Sequence, residues 1–479
     1  MIKFFKKYKK NVSTFLFYDY ETFGTNPASD KPSQFACIRT DINFNIIDKP
    51  KISFCYPPID YLPNPEAILI TGITPQKTFL DGYNEFYFSK YIYNIFNIGN
   101  TCIIGYNNIR FDDEITRNIF YRNLLDPYSW SWKNNNSRWD LLGVLRTYYA
   151  IRPNGINWPI NEIGMPSFKL ENISKANNIS HTTAHDALSD VYATVLLAKF
   201  LKEKNAKLFK FLFEIRAKEK LLNLIDINNM KPVFYVSGLF GASRSNISLI
   251  SPILRHPKNN NILIGIDLTK NILCLINYLK QVNTKTLNYN ELFSLGFLFI
   301  YLNRCPILVP LNCLLKKDLN RLNINKQNCF SNLYILKETP SIKNYILFFL
   351  NYNHGVLPKD IDLTIYDSFF CNQDKSIIEK LHIQLPLNNV DDKFSFRDNR
   401  IKKILFRCKA RNFPVFLKDN ENKKWLKYCN TVLNKKLMSN YRLNIKFLLK
   451  KYNQDEEKIF LLKELLIYSE NLESYILNF

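Results

Sequence analysis

No run in this chain stays apolar for long enough to cross a bilayer, a task that takes about 20 consecutive residues as a helix. A membrane protein is therefore not expected. The first ten residues, MIKFFKKYKK, are basic but have no apolar stretch and no small-residue cleavage site. They do not read as a secretory signal, and a frayed, solvated arm is the expectation. Cysteine occurs ten times but never as C-x-x-C. Residues such as Cys102 in TCIIGYN and Cys305 in NRCPILV stand in apolar surroundings. Without a secretory signal, that pattern argues against disulfides and zinc ligands and for reduced core thiols in a cytoplasmic protein. No repeat of fixed period is visible. Acidic residues are also short: 42 Asp and Glu face 65 Lys and Arg, leaving a net charge of +23. That balance suits a polyanionic partner, nucleic acid first. Glycine is scarce, at 13, while Lys, Asn, Ile, Phe and Tyr abound. An A+T-rich genome inflates the same set, so the charge supports such a partner without carrying the argument.

What is present is a globular composition, 46% hydrophobic over 479 residues, with room for two to four domains. Residues 15 to about 200 hold most of the usable signals. FLFYDYETF, FACIRTD, KISFCYP and TCIIGYN read as strands. DEITRNIFYRNLL has helical spacing, and AHDALSDVYATVLLAKFLKEK is a longer helix with Leu188, Val191, Val195 and Ala198 as its buried stripe. Strands with interleaved helices predict a mixed α/β layer architecture. From about 206 to 358 the signals weaken. KPVFYVSGLFGA, NILIGIDL and CPILVPL suggest short strands, with a turn at Gly238-Leu239-Phe240-Gly241. From about 359 onward five amphipathic segments, ending in DEEKIFLLKELLIYSENLESYIL, predict a helical region.

FLFYDYETFG raises the functional question. Asp19 and Glu21 end an apolar strand, and residues two apart share a face. Two like charges there mean either a solvated strand end or a shared hard cation with oxygen ligands. Two more signals bear on that choice. In GYNNIRFDDE, Asp112 stands at a strand-to-helix junction, where capping and function are both open. In HTTAHDALSDVYA, Asp190 falls between the buried positions Ala187 and Val191, awkward for a charge without a partner. His185 lies five residues earlier, near the helix start.

Asp-x-Glu, then Asp, then His-x-x-x-x-Asp is the ordered signature of the DEDD exonucleases in their His variant. In the Tyr variant the base stands four residues before the last Asp, a position held here by Asp186. FLFYDYETFGTNPASDKPSQFACIRTD, AILITGITPQ, GYNNIRFDDEITRNIFYRNLLDPYSWSW, SRWDLL, RPNGINWP and HDALSDVYATVLLAK resemble bacterial exonuclease I, a single-strand-specific 3′→5′ exodeoxyribonuclease family. The resemblance continues more weakly through MKPVFYVSGLFGA and KARNFP. It implies an α/β (α+β) multidomain chain. Residues 1–205 would form an RNase H-like exonuclease domain with a mixed sheet, 206–358 an SH3-like β-containing domain, and 359–479 a C-terminal helical domain.

The chemistry accounts for the residue types independently. A phosphodiester's attacking and leaving oxygens can be held by two metal ions about 3.5–4 Å apart, which takes carboxylates from several elements. Asp19, Glu21, Asp112 and Asp190 supply four, for two Mg²⁺ with Mn²⁺ able to substitute. His185 would accept the proton of the attacking water. The resemblance further places Glu21, Gly72, Asn108, Arg138 and Lys169 near substrate. Turn formation is an equal reading for Asn107 and Asn108, and an ion pair with Asp140 or Asp113 an equal one for Arg138. Lys169 stands where the family pattern has Arg, and lacks its bidentate fork. The implied partners are single-stranded DNA and the acidic C-terminal tail of single-stranded DNA-binding protein. Arg152 and Lys231 are the tail candidates, with ordinary surface charge as their alternative. A monomer acting in DNA repair and recombination is expected. Two other readings stay open: an RNA-trimming exonuclease of the same superfamily, which matched DNA and RNA oligomers would separate, and a non-catalytic single-strand clamp, which divalent-ion binding would separate.

Overall fold

The computed structural model describes residues 12–181, 184–281, 288–351, 359–384 and 394–477. The basic arm at residues 1–10 lies outside them. The chain divides into two compact units. The first takes in Met1–Asn136, Thr182–Tyr192 and Pro358–Phe479; the second takes in Ser137–His181 and Ala193–Leu357. The mixed-sheet exonuclease fold, the SH3-like part and the C-terminal helical region expected from the sequence are all present.

Five strands of the first unit are β1 (Thr14–Thr22), β2 (Pro32–Thr40), β3 (Lys51–Cys55), β4 (Gly82–Tyr83) and β5 (Thr101–Gly105). They run in the order β4-β3-β2-β1-β5. β1 pairs antiparallel with β2 and parallel with β5. Residues on both of its faces are buried along most of its length, which is why TFLFYDYET is apolar almost throughout. Its even positions, Leu16, Tyr18 and Tyr20, pack with Phe35, Cys37, Ile103 and Ile119 in one core. Its odd positions, Phe15, Phe17, Asp19 and Glu21, take the other face. The two carboxylates thus arise at the C-terminal end of the face that packs Phe15 and Phe17 against Phe44.

β5 ends at Gly105, where a Cβ would lie 2.6 Å from the Asn108 Cβ. Only glycine allows the polar turn to fold back so closely. The helix Asp112–Arg122 follows. Its last turn carries Arg122, buried and paired with Glu85 at 2.7 Å. Burial alone would raise the Glu85 carboxyl, but Arg122 and Lys31 outweigh it and hold it at about 2. In the same unit the helix Asn399–Asn412 brings Arg411 to Asp60 and Asp362, each at 2.6 Å. Asn412 accepts the Phe86 N–H at 2.9 Å. The Arg411–Asp60 pair and the Asn412 bond tie the C-terminal helices to Asp60 and to the helix Glu85–Phe96, and breaking the ion pair would strand a buried charge.

In the second unit, five strands run antiparallel in the order Phe297–Tyr301, Asn259–Asp267, Ile247–His256, Val233–Val236 and Ile307–Val309. Two of these, Ile247–His256 and Phe297–Tyr301, were not expected. Pro252 interrupts the first as a sequence pattern, and the structure accommodates it at a register shift between Pro252 and Leu254. Helices at Ile272–Gln281, Lys326–Lys337 and Ile342–Asn351 also stand where the sequence suggested only a mixed region. The expected turn is a short 3-10 helix, Gly238–Phe240, closed by Gly241 at φ 74°. All ten cysteines are free, and six of them are buried. Cys305 is only half-buried.

Candidate active site

β1 and β5 are parallel, so their carboxyl ends lie at one edge of the sheet, the edge where open α/β sheets generally bind ligands. Asp19 and Glu21 leave the end of β1. Asp112 opens the helix that follows β5, and its carboxylate accepts the Tyr20 N–H at 3.2 Å. The capping role considered for Asp112 is not what it performs. Phe111 is the cap residue, without a side-chain bond, and Asp112 is turned onto β1. Its neighbour Asp113 is fully buried; it accepts the Tyr18 hydroxyl at 2.5 Å and the Asn108 amide at 3.3 Å. These bonds fix the first helical turn against β1.

The third element is the helix Ala187–Lys204. Asp186 precedes it and accepts the Ser189 N–H at 3.1 Å, a side-chain cap. His185 is exposed, with φ at 62°, a left-handed conformation uncommon outside glycine. Of the predicted stripe, Val191, Val195 and Ala198 are buried and Leu188 is half-buried. Among the described residues, Glu21, His185 and Asp190 offer ligand atoms that all lie within 4.8 Å of one another.

The electrostatics extend that group to Asp19 and Asp112. Glu21 is 8% exposed. Burial first, then Asp190, Asp112 and Asp186, push its carboxyl from 4.5 to about 8. Asp19 is driven well above the carboxylate range by burial, then by Asp112, Glu21, Asp190 and Asp186. Every charge named in those shifts is negative. A cluster of carboxylates so arranged resists its own negative charge until a cation offsets it, and an all-oxygen set suits a hard divalent ion. The donor chemistry therefore fits the metal that the sequence implies.

The other predicted residues have individual surroundings. Gly72, in the first unit, ends the helix Pro65–Thr71 at φ 66°, with open space where a Cβ would stand. Asn108 is fully buried and directed at Asp113, so the structure gives it a supporting position rather than an open substrate-facing one. In the second unit, Arg138 is also buried, and donates to the Asn303 carbonyl at 2.8 Å. Asp140 caps the helix Leu141–Ile151 through the Leu142 N–H. Lys169 is exposed beside Glu171 at 3.6 Å. Arg152 is exposed at the end of the helix Leu141–Ile151 and donates to the Cys313 carbonyl at 3.2 Å. Lys231 is exposed as well.

Sequence reasoning missed Gln34. It is the register partner of Glu21 across β1 and β2, and its side chain bonds both Asp186 and the Ala187 N–H. No local pattern could reveal it, because those partners are about 150 residues away. The Asp186 cap had a visible signal, Asp followed by an apolar helical run.

Residues 16–198 match the family described as Exonuclease. Residues 216–349 match the exonuclease I SH3-like domain, and residues 359–472 the exonuclease I C-terminal domain. The exodeoxyribonuclease I of Buchnera aphidicola subsp. Schizaphis graminum (strain Sg) is 51% identical over 466 residues, 96% of either chain. That of Escherichia coli (strain K12) is 45% identical over 473 residues, 97% of this chain and 99% of the relative. The crystal structure of E. coli exonuclease I in complex with a dA16 oligonucleotide matches with a TM-score of 0.90 at 44% identity, covering 96% of this chain and 100% of that one. A crystal structure of SSB/exonuclease I in complex with the inhibitor CFAM matches with a TM-score of 0.89 at 44% identity, covering 96% and 99%.

Proposed function

The chain belongs to the exodeoxyribonuclease I family, and from that premise we propose that it hydrolyses single-stranded DNA from the 3′ end, releasing 5′-mononucleotides in DNA repair and recombination. The observation that carries this reading is that Glu21, His185 and Asp190 offer ligand atoms within 4.8 Å of one another, with Asp19 and Asp112 close enough to press on the same carboxyls. Asp19, Glu21, Asp112 and Asp190 would hold two Mg²⁺ ions, with Mn²⁺ able to replace them. Bound there, divalent ions supply charge stabilisation for the attacking and leaving oxygens of the phosphodiester.

The chain's own groups do the rest. The raised carboxyls of Asp19 and Glu21 mark where positive charge is most favoured. His185, exposed beside Glu21 and Asp190, takes the proton of the attacking water and returns it to solvent. Glu21 also bounds the position of the terminal nucleotide, with Gly72 as a backbone platform. Tyr18 and Asn108 act indirectly, by holding Asp113 and with it the Asp112 turn. Lys169, on an exposed helix start, neutralises a phosphate, and Arg138, held by the Asn303 carbonyl, is a second candidate for the substrate backbone.

The domain limits we propose are 1–205, 206–358 and 359–479, and the acting species is a cytoplasmic monomer. The partner besides DNA is the acidic tail of single-stranded DNA-binding protein, met by Arg152 and Lys231; the SSB-containing structure of a relative supports this. Among the described residues no helix is long and apolar enough to cross a membrane. The test uses matched DNA and RNA oligomers labelled at either end. Stepwise loss from the 3′ end of DNA, with RNA spared, is expected. Equal trimming of RNA would move the assignment to an RNA exonuclease, and binding without cleavage would reduce the chain to a clamp.

A further inference from the structure

The site is assembled from two parts that are remote in sequence. Asp19 and Glu21 belong to a strand locked in the centre of a sheet. His185 and Asp190 belong to the start of a helix, and His185 itself is exposed in a left-handed conformation. Such a conformation persists in a non-glycine residue only where its surroundings fix it. Something must hold the second part at the right distance from the first.

Gln34 is placed to do this. It stands directly opposite Glu21 in the antiparallel pair of β1 and β2. Directly opposed residues project from the same face, with Cβ atoms about 4.5–5.5 Å apart. Gln34 is 3% exposed. Its Nε2 donates to Asp186 Oδ1 at 3.2 Å, and its Oε1 accepts the Ala187 N–H at 3.1 Å. The Ala187 N–H is one of the donors at a helix start that have no partner within the helix. Gln34 therefore caps the helix from another strand. The other Asp186 oxygen accepts the Ser189 N–H, and the Asp186 carbonyl accepts the Asp190 N–H at 3.0 Å. One amide thus joins β2, at the position paired with Glu21, to the residue after His185 and, through one further bond, to the backbone of Asp190.

The residue type matters as much as the position. The surroundings already contain Asp19, Glu21, Asp112, Asp186 and Asp190. A Glu at position 34 would add another negative charge and could not donate to Asp186. A Lys could donate but could not accept the Ala187 N–H. Only an amide of this length both donates and accepts without adding charge.

We infer that Gln34 is a positioning residue: its side-chain amide clamps the His185–Asp190 segment to β2 directly opposite Glu21 on β1, and so sets the spacing of the reactive groups. The inference rests on the nuclease reading for its consequence in rate, though not for the clamp itself. A misplacement of about 1 Å in a catalytic group can cost on the order of 10² in rate.

Two variants separate the amide from its reach. Gln34→Met keeps the shape and removes both bonds. Gln34→Asn keeps the amide and is one methylene too short to span. In both, kcat on single-stranded DNA should fall by roughly 10²-fold while KM moves less than about threefold, the pattern of an interaction needed only in the transition state. A second readout needs no metal and no DNA. Amide hydrogen exchange at Ala187 and Ser189 should accelerate by about tenfold or more in the metal-free variants, with β1 amides unchanged, because local opening alone is affected.

Wild-type kcat together with wild-type exchange in either folded variant overturns the inference. Faster exchange throughout β1 and β2 also overturns it, by showing a general structural role. Should Gln34→Met fail to fold, Gln34→Asn decides alone. An inactive wild-type protein would sink the nuclease reading, and the exchange measurement would still decide the clamp.

Discussion

Replacing Glu21 by Gln should stabilise the metal-free protein at alkaline pH while abolishing its activity. Burial and then Asp190, Asp112 and Asp186 raise the Glu21 carboxyl from 4.5 to about 8. The folded value lies above the unfolded one, so the sign is opposite to that of a salt-bridged acid. Between pH 4.5 and about 8 the folded chain keeps a proton that the unfolded chain has released. Stability is therefore undiminished below 4.5, falls as pH rises through this window, and levels off above it. At ~1.4 kcal/mol per pH unit, the window is worth on the order of 5 kcal/mol against the metal-free fold at pH 9. Gln keeps the side-chain shape and removes the charge. Thermal unfolding in excess chelator at pH 9 should show Glu21→Gln melting ~10 °C or more above wild type, at ~2–4 °C per kcal/mol for a unit of this size. At pH 4.5 the difference should vanish. Adding Mg²⁺ at pH 9 should raise the wild type more than the variant, because the cation binds a complete carboxylate set only in the former. A variant that melts at or below wild type in chelator at pH 9 would show that Glu21 is not a charge held at a cost.

Asp112→Asn keeps an acceptor for the Tyr20 N–H but weakens the oxygen donor; single-turnover cleavage should fall by about a thousandfold or more, since metal catalysis supplies several kcal/mol. His185→Ala should slow the chemical step by roughly 10²–10⁴ with metal and DNA binding retained. Lost metal binding with an intact rate would instead make His185 a ligand. Affinity of the Asp112→Asn protein for a short pyrimidine strand, measured by anisotropy across a salt series, should show a log–log slope of about −3 or steeper, at ~0.7 per phosphate contact. A flat response would attribute the +23 charge to composition alone.

The parts of the site that were legible in the sequence are those written in local periods. Asp19 and Glu21 two apart on a strand, and Asp190 between Ala187 and Val191 on a helix, each declare a direction from spacing alone. The strand was legible as an apolar run, but Phe15 to Tyr18 are apolar on both faces, and only the fold shows that Leu16, Tyr18 and Tyr20 pack the core. What stayed hidden depends on contacts remote in sequence or on exceptions to a period. Gln34 looks like an ordinary polar strand residue until the fold delivers Asp186 to it. Asn108 and Arg138 look like surface polar groups in turn and strand segments, yet Asp113 and the Asn303 carbonyl draw them inside. The strand Ile247–His256 was masked by Pro252, which the sheet tolerates by shifting register there. The Asp112 turn was half-legible: the junction was visible, but not that its carboxylate would reach β1 instead of capping its own helix.

Once it holds divalent cations, this carboxylate cluster is proposed to remove nucleotides from the 3′ end of single-stranded DNA. The most direct test follows wild-type protein, stripped by chelator, acting on a single strand labelled in its 3′-terminal nucleotide as Mg²⁺ is restored. No release is expected in chelator; on adding Mg²⁺ the labelled 5′-mononucleotide should appear promptly, before any shortening from the 5′ end, at a rate that rises with Mg²⁺ to a plateau. Release in chelator, or label appearing first in longer fragments, would contradict it.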